Sequence, residues 1–98
     1  MNGQTFKLTL HETYYKMGFF NITVDYDKYI GEDQSSIELH LENTGSIIQG
    51  HINRTANNNG TARIMGGKDL KNWFHENCAV LDKVDIEILT PTALNIRK

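Results

Sequence analysis

The chain holds a single cysteine, Cys78. That excludes an internal disulfide and any Cys-rich zinc site. A lone free thiol suits a reducing compartment, so a cytoplasmic location is expected. Cys78 stands beside Ala79 and Val80, which places it in or near the core with no base to activate the sulfur. No apolar run approaches the length of a membrane span, and the opening MNGQTFKLTL has no apolar stretch of signal-peptide length. Neither membrane insertion nor secretion is expected, so the Asn-x-Thr triplets at Asn21, Asn53 and Asn59 read as coincidence. The four histidines, His11, His40, His51 and His75, lack ligand spacing, and no metal or cofactor is expected. Asp85 and Glu87 share one strand face without a lysine in nuclease order, and no His-x-Lys pattern occurs. Catalytic residues are therefore not expected, and Asp82 reads as a turn cap. There is one proline, and no repeat, low-complexity tract or linker.

What remains is enough for one small domain, residues 1–98. A chain of this size buries about 65% of its unfolded surface on folding, which supports one modest core. Hydrophobic content of 39% with four Tyr, four Phe and one Trp is that of a globular protein. The net charge of −2 argues against a nucleic-acid partner, but its distribution argues for one. Residues 25–42 hold six acids (Asp25, Asp27, Glu32, Asp33, Glu38, Glu42) against Lys28 alone. Residues 43–74 hold four bases (Arg54, Arg63, Lys68, Lys71) against Asp69 alone. A bipolar molecule can turn a basic face to phosphates while its other side stays acidic.

Along the chain the apolar residues recur mostly every second position. Phe6, Leu8 and Leu10 alternate with Lys7 and Thr9, the pattern of a half-buried strand over 5–10. HETYYKMG (11–18) reads as an irregular excursion, and FFNITV (19–24) as a second strand rich in aromatic and β-branched residues. DYDKYIG (25–31) suits one or two helical turns burying Tyr26, Tyr29 and Ile30. Ile37, Leu39 and Leu41 mark a third strand, the turn Asn43-Thr44-Gly45 follows, and 46–52 pairs back as a fourth. A fifth strand lies around 62–65. Leu70, Trp73 and Phe74 then recur at helical spacing over 69–77. Val84, Ile86 and Ile88 make a sixth strand. After Pro91, residues 93–97 form an edge strand with Leu94 and Ile96 inward. Strands this short are best protected by curling the sheet. The tally is six or seven short strands and two short helices, mainly β, and the pattern by itself suits a closed or nearly closed barrel of mostly antiparallel strands.

One stretch stands apart. NRTANNNGTAR (53–63) is polar, charged or small throughout, and apolar runs flank it. Asn58-Asn59-Gly60 is a turn signal, so the stretch reads as a hairpin held out from the body. Its Arg54, Arg63, Asn53, Asn57, Asn58, Asn59 and Thr61 are the side-chain types that meet DNA. Arg forks onto guanine or neutralises phosphate, and Asn offers the donor and acceptor that adenine requires. Arg54 and Arg63 are the strongest candidates of the set. The other reading of this loop is a contact surface for a protein or a carbohydrate.

The order of elements resembles the DNA-binding pseudobarrel of plant transcription factors, the "B-three" domain. It is closer still to the DNA-recognition domains of bacterial restriction endonucleases such as BfiI and EcoRII. The resemblance runs from Phe6 to Ile88 through FKLTL, GFFNITV, DKYIG, SIELHL, SIIQGHI, GGKDLKNWFHEN and VLDKVDIEI. Trp73, Phe74, Asn77 and Asp82 fall in step with the pattern, while Leu81 stands where glycine is usual and Thr23 where plant members often have proline. The resemblance implies a mainly β (α+β) fold, a seven-stranded open pseudobarrel, mostly antiparallel, with two short helices. It also implies sequence-specific recognition of double-stranded DNA by two arms that clasp the major groove. The first arm would be residues 11–21, with Tyr14, Tyr15, Lys16 and Asn21 as candidates. The second would be 53–63, and Lys68 on the following helix would touch phosphate. It also implies that cutting belongs to a nuclease domain on the same chain or a partner subunit, these residues being one domain of a larger enzyme.

Overall fold

The computed structural model describes residues 4–42 and 45–98. Its seven strands are β1 Gln4–Thr9, β2 Phe19–Asn21, β3 Ser36–Leu41, β4 Ser46–Asn53, β5 Arg63–Met65, β6 Lys83–Thr90 and β7 Ala93–Arg97. Two α-helices accompany them, α1 Glu12–Met17 and α2 Gly67–Asn77, with a 3-10 helix at Val24–Tyr29. The strands form one curled sheet in the order β1-β6-β7-β3-β4-β5-β2. Every pairing is antiparallel except β3 with β7. The curl does not close: β1 pairs only with β6 and β2 only with β5, so these two strands are the free edges among the described residues. The fold is the mostly antiparallel, open pseudobarrel that the resemblance implied, built from strands that the alternation of apolar residues marked. The sheet is not the closed or nearly closed barrel suggested by strand length alone.

The core is drawn from every strand. Phe6 and Leu8 (β1), Leu39 and Leu41 (β3), Ile86 and Ile88 (β6) and Leu94 and Ile96 (β7) are all buried, as the two-residue period requires. Leu70, Trp73 and Phe74 come inward from α2 at i, i+3 and i+4. Tyr26 stacks on Phe6 with ring centroids 5.0 Å apart, so the 3-10 helix packs over the start of β1.

Three expectations are revised. Residues 12–17 form a helix rather than an irregular excursion. Gly18 ends it in the left-handed region (φ 76°), its N–H returning to the carbonyl of Tyr14 at 2.9 Å. The carbonyl of Gly18 then accepts the N–H groups of Gly66 and Gly67 at 3.0 and 3.1 Å, which docks α1 on the start of α2. Second, β7 is no edge strand: it lies between β6 and β3. Its parallel partner β3 is separated from it by four other elements of the chain, beyond the reach of any local pattern. Third, Thr61 and Ala62 are buried, although they belong to the polar stretch expected to stand outside the core. Of the turn at 43–45, Asn43 and Thr44 lie outside the described residues.

Candidate functional site

The two free edges face a concavity of about 630 Å³. Lys7, Leu8 and Thr9 line it from β1, and Asn21 to Val24 from β2 and the segment after it. The first arm adds His11 and Tyr14. The second adds Asn57, Asn58, Asn59 and Thr61. Both arms thus border one surface at the seam where the sheet stays open. Among the described residues no carboxylate lines it, whereas Lys7 and His11 do. Val24, 66% exposed, adds an apolar edge.

The second arm is built as a rigid loop. It leaves β4 through Asn53, whose Oδ1 accepts the N–H of Thr55 (2.9 Å), its hydroxyl (2.9 Å) and the N–H of Ala56 (3.1 Å). At the tip, Gly60 N–H returns to the carbonyl of Asn57 at 3.1 Å, with Gly60 at φ 77°. Asn59 Oδ1 accepts both the N–H and the hydroxyl of Thr61. Asn57 Nδ2 donates to Thr61 O at 3.0 Å and to Asn21 Oδ1 at 3.1 Å, which joins the second arm to the end of the first.

Arg54 is not at the surface of this site. Its Nη1 donates to both oxygens of Asp27 (2.8 and 3.0 Å) and to Gly60 O (3.1 Å). Nε donates to Gly31 O at 3.0 Å, and Nη2 to Ile30 O at 3.0 Å and Asp27 O at 3.4 Å. Every guanidinium nitrogen is therefore engaged inside the protein. Arg54 clamps the arm to the segment 27–31, and Asp27 Oδ1 also holds Ala62 N–H at 2.8 Å. Asp33 Oδ1 takes the backbone N–H of Arg54 at 2.7 Å. The guanidinium of Arg54, one of the two strongest sequence candidates, thus has all its donors engaged within the protein.

Arg63 is half committed. Its guanidinium lies 4.4 Å over the ring of Phe19, Nε donates to Asn21 Oδ1 at 3.1 Å and Nη2 to Asn57 Oδ1 at 3.4 Å. It orients two of the amides that line the concavity without lining it itself. Thr61 is buried and serves the turn.

In the first arm, Tyr14 meets Phe19 edge-on with centroids 5.7 Å apart and meets His11 at 5.5 Å. Tyr15 turns the other way. It stacks on His75 of α2 at 4.3 Å, outside the concavity. Lys16 pairs with Glu12 at 2.7 Å across one exposed helical turn, and this pairing holds the Glu12 carboxyl below its usual range. Lys68, in the first turn of α2, is exposed and unpaired among the described residues. Sequence reasoning overlooked Lys7, Thr9 and Thr23. Lys7 does point outward by the alternation of its strand, but only the open seam makes that face part of the site. Lys7 Nζ meets Asp85 at 2.7 Å and holds its carboxyl below the usual range.

Among the described residues, no group of three or more His, Cys, Asp or Glu is placed to hold a metal ion. No helix among them is long and apolar enough to cross a membrane.

Compared with known protein families and with curated proteins, the sequence matches none. Among solved structures, the fold is similar to that of a hypothetical protein from Arabidopsis thaliana. The TM-score is 0.67 at 8% sequence identity, over 95% of this chain and 86% of that one. At so low an identity the likeness concerns the fold, a curled open sheet of the pseudobarrel kind.

Proposed function

We propose that this chain is a sequence-specific binding domain for double-stranded DNA, gripping the major groove with residues 11–21 and 53–63. One observation carries the reading: both arms border a single concavity furnished with amides, a lysine and a histidine, with no carboxylate among the described residues that line it. A B-DNA major groove is about 12 Å wide and displays donors and acceptors that amide side chains can pair with. Lys68, exposed and unpaired among the described residues, supplies charge for phosphates, which position the duplex without reading it. Resemblance in sequence pattern carries the narrower reading. On it the domain recognises the target of a bacterial restriction endonuclease in the cytoplasm, and a nuclease domain on the same chain or a partner subunit performs the hydrolysis.

Fluorescence anisotropy with labelled duplexes tests this. Affinity for duplex should fall steeply as salt rises, with a slope of about 0.9 for each phosphate neutralised. Lys68→Ala should weaken all sequences alike and lower that slope by about 1. Absence of duplex binding at low salt refutes the proposal. Incubation with plasmid and a divalent cation should leave the plasmid intact, and cleavage by this chain alone contradicts the division of labour.

A further inference from the structure

Accepting the DNA reading, the hydrogen bonds of the second arm say which of its residues is left to read a base. Four asparagine side chains line the concavity, Asn21, Asn57, Asn58 and Asn59. A bidentate contact with adenine needs both ends of one amide: the carbonyl oxygen accepts from N6–H while the NH₂ donates to N7. Asn21 Oδ1 already accepts from Asn57 and Arg63. Asn57 uses its Nδ2 on Asn21 and Thr61, and its Oδ1 faces Arg63. Asn59 Oδ1 is held by Thr61. Each of these three has at least one end committed to the shape of the loop. Asn58 alone among them is exposed with both ends unpaired among the described residues, and it stands at the tip, between Asn57 and Asn59. Of the two arginines that could fork onto guanine, Arg54 has no donor to offer, and Arg63 lies over Phe19 and does not line the concavity.

We infer that Asn58 is the specificity-determining residue of the second arm, and that it reads an adenine by a bidentate contact in the major groove. The clamp at Arg54, the carboxamide of Asn53 and the turn closed by Gly60 hold the loop so that the Asn58 amide meets the base edge with little freedom to lose. The recognised sequence therefore contains an adenine opposite this tip rather than a guanine.

The experiment is a selection from a random duplex pool with the wild-type protein and with Asn58→Ala, followed by anisotropy on the selected duplex. Asn58 makes no side-chain hydrogen bond among the described residues, so the variant folds as wild type does; equal melting temperatures confirm it. Wild type should select adenine at one position that Asn58→Ala leaves random, the other positions being unchanged. Replacing that adenine should weaken the wild type about 5- to 150-fold and leave the variant indifferent. Substituting 7-deazaadenine, which lacks the N7 acceptor, should weaken the wild type alone. If the wild type selects a sequence and Asn58→Ala selects the same one, the assignment of Asn58 fails while the DNA reading stands. A loss of preference at a base other than adenine overturns the adenine contact. No duplex binding by wild type overturns the proposed function and this inference with it.

Discussion

Arg54→Ala tests the architecture of the second arm most directly. The side chain is 22% exposed and its partner Asp27 26% exposed, so the pair lies between a surface ion pair and a buried one. Breaking a fully buried pair by removing one partner costs about 3–5 kcal/mol, and an exposed pair is worth about 0–1 kcal/mol. Here the truncation also strips donors from the carbonyls of Ile30, Gly31 and Gly60, and it leaves the Asp27 carboxylate with the N–H of Ala62. Unmet acceptors and a stranded half-buried charge place the expected loss at about 2–4 kcal/mol. In a domain of this size each kcal/mol moves the melting temperature by about 4–8 °C, so a fall of about 8–32 °C is expected. Arg54→Lys keeps the charge but cannot reach four carbonyls and a carboxylate from one ammonium group, and should lose at least half as much. A double-mutant cycle with Asp27→Ala should show a coupling of about 1–3 kcal/mol. The assay is thermal unfolding followed by circular dichroism. An Arg54→Ala protein melting within about 2 °C of wild type refutes the clamp, since that is what a residue reading DNA from a free loop would do.

The other predictions concern the frame around the site. A Cβ at Gly18 would stand 2.3 Å from Gly67 O, at a residue whose φ is 76°, so Gly18→Ala should cost about 2–4 kcal/mol in urea unfolding and loosen α1 from α2. Unfolding at wild-type urea concentration would refute that packing argument. Leu81 is 63% exposed and held at φ 73° in the turn where Asp82 N–H meets Ala79 O at 3.1 Å and Asp82 Oδ2 caps Ala79 N–H at 2.9 Å. Leu81→Gly relieves the left-handed strain, loses little burial and should gain about 0.5–1 kcal/mol; a clear destabilisation would contradict this. The Asp85 carboxyl is held below its usual range chiefly by its hydrogen bond from Lys7. Because the folded-state value is the lower one, the pairing stabilises the fold above the ordinary carboxylate range. That contribution disappears as pH falls through the depressed value. Lys7→Met should therefore return the Asp85 carboxyl upward in an NMR titration, and the stability gap from wild type should close at low pH; an unmoved Asp85 titration would sink the assignment.

The strands were legible because burial leaves a mark on the local sequence. Phe6 and Leu8, Leu39 and Leu41, Ile86 and Ile88, and Leu94 and Ile96 each repeat at the period of a pleated chain, and each pair is buried. Leu70, Trp73 and Phe74 mark α2 by the same logic at helical spacing. The second arm was legible as a loop because its residues are small or polar and carry a turn signal at Asn58-Asn59-Gly60. Long-range pairing leaves no such mark. The position of β7 beside β3, the seam between β1 and β2, and hence the share of Lys7 in the site follow from which strands find each other across the chain. The division among the polar residues of the arm is tertiary as well. Composition treats Arg54, Arg63 and Asn58 alike as candidates for contact. Only the fold brings Asp27 and the carbonyls of Ile30, Gly31 and Gly60 to Arg54 and Phe19 to Arg63, and leaves Asn58 unpaired among the described residues. Hydrogen-bonding capacity is a property of the side chain, but whether it is satisfied within the protein or left for a ligand depends on which partners folding carries to it.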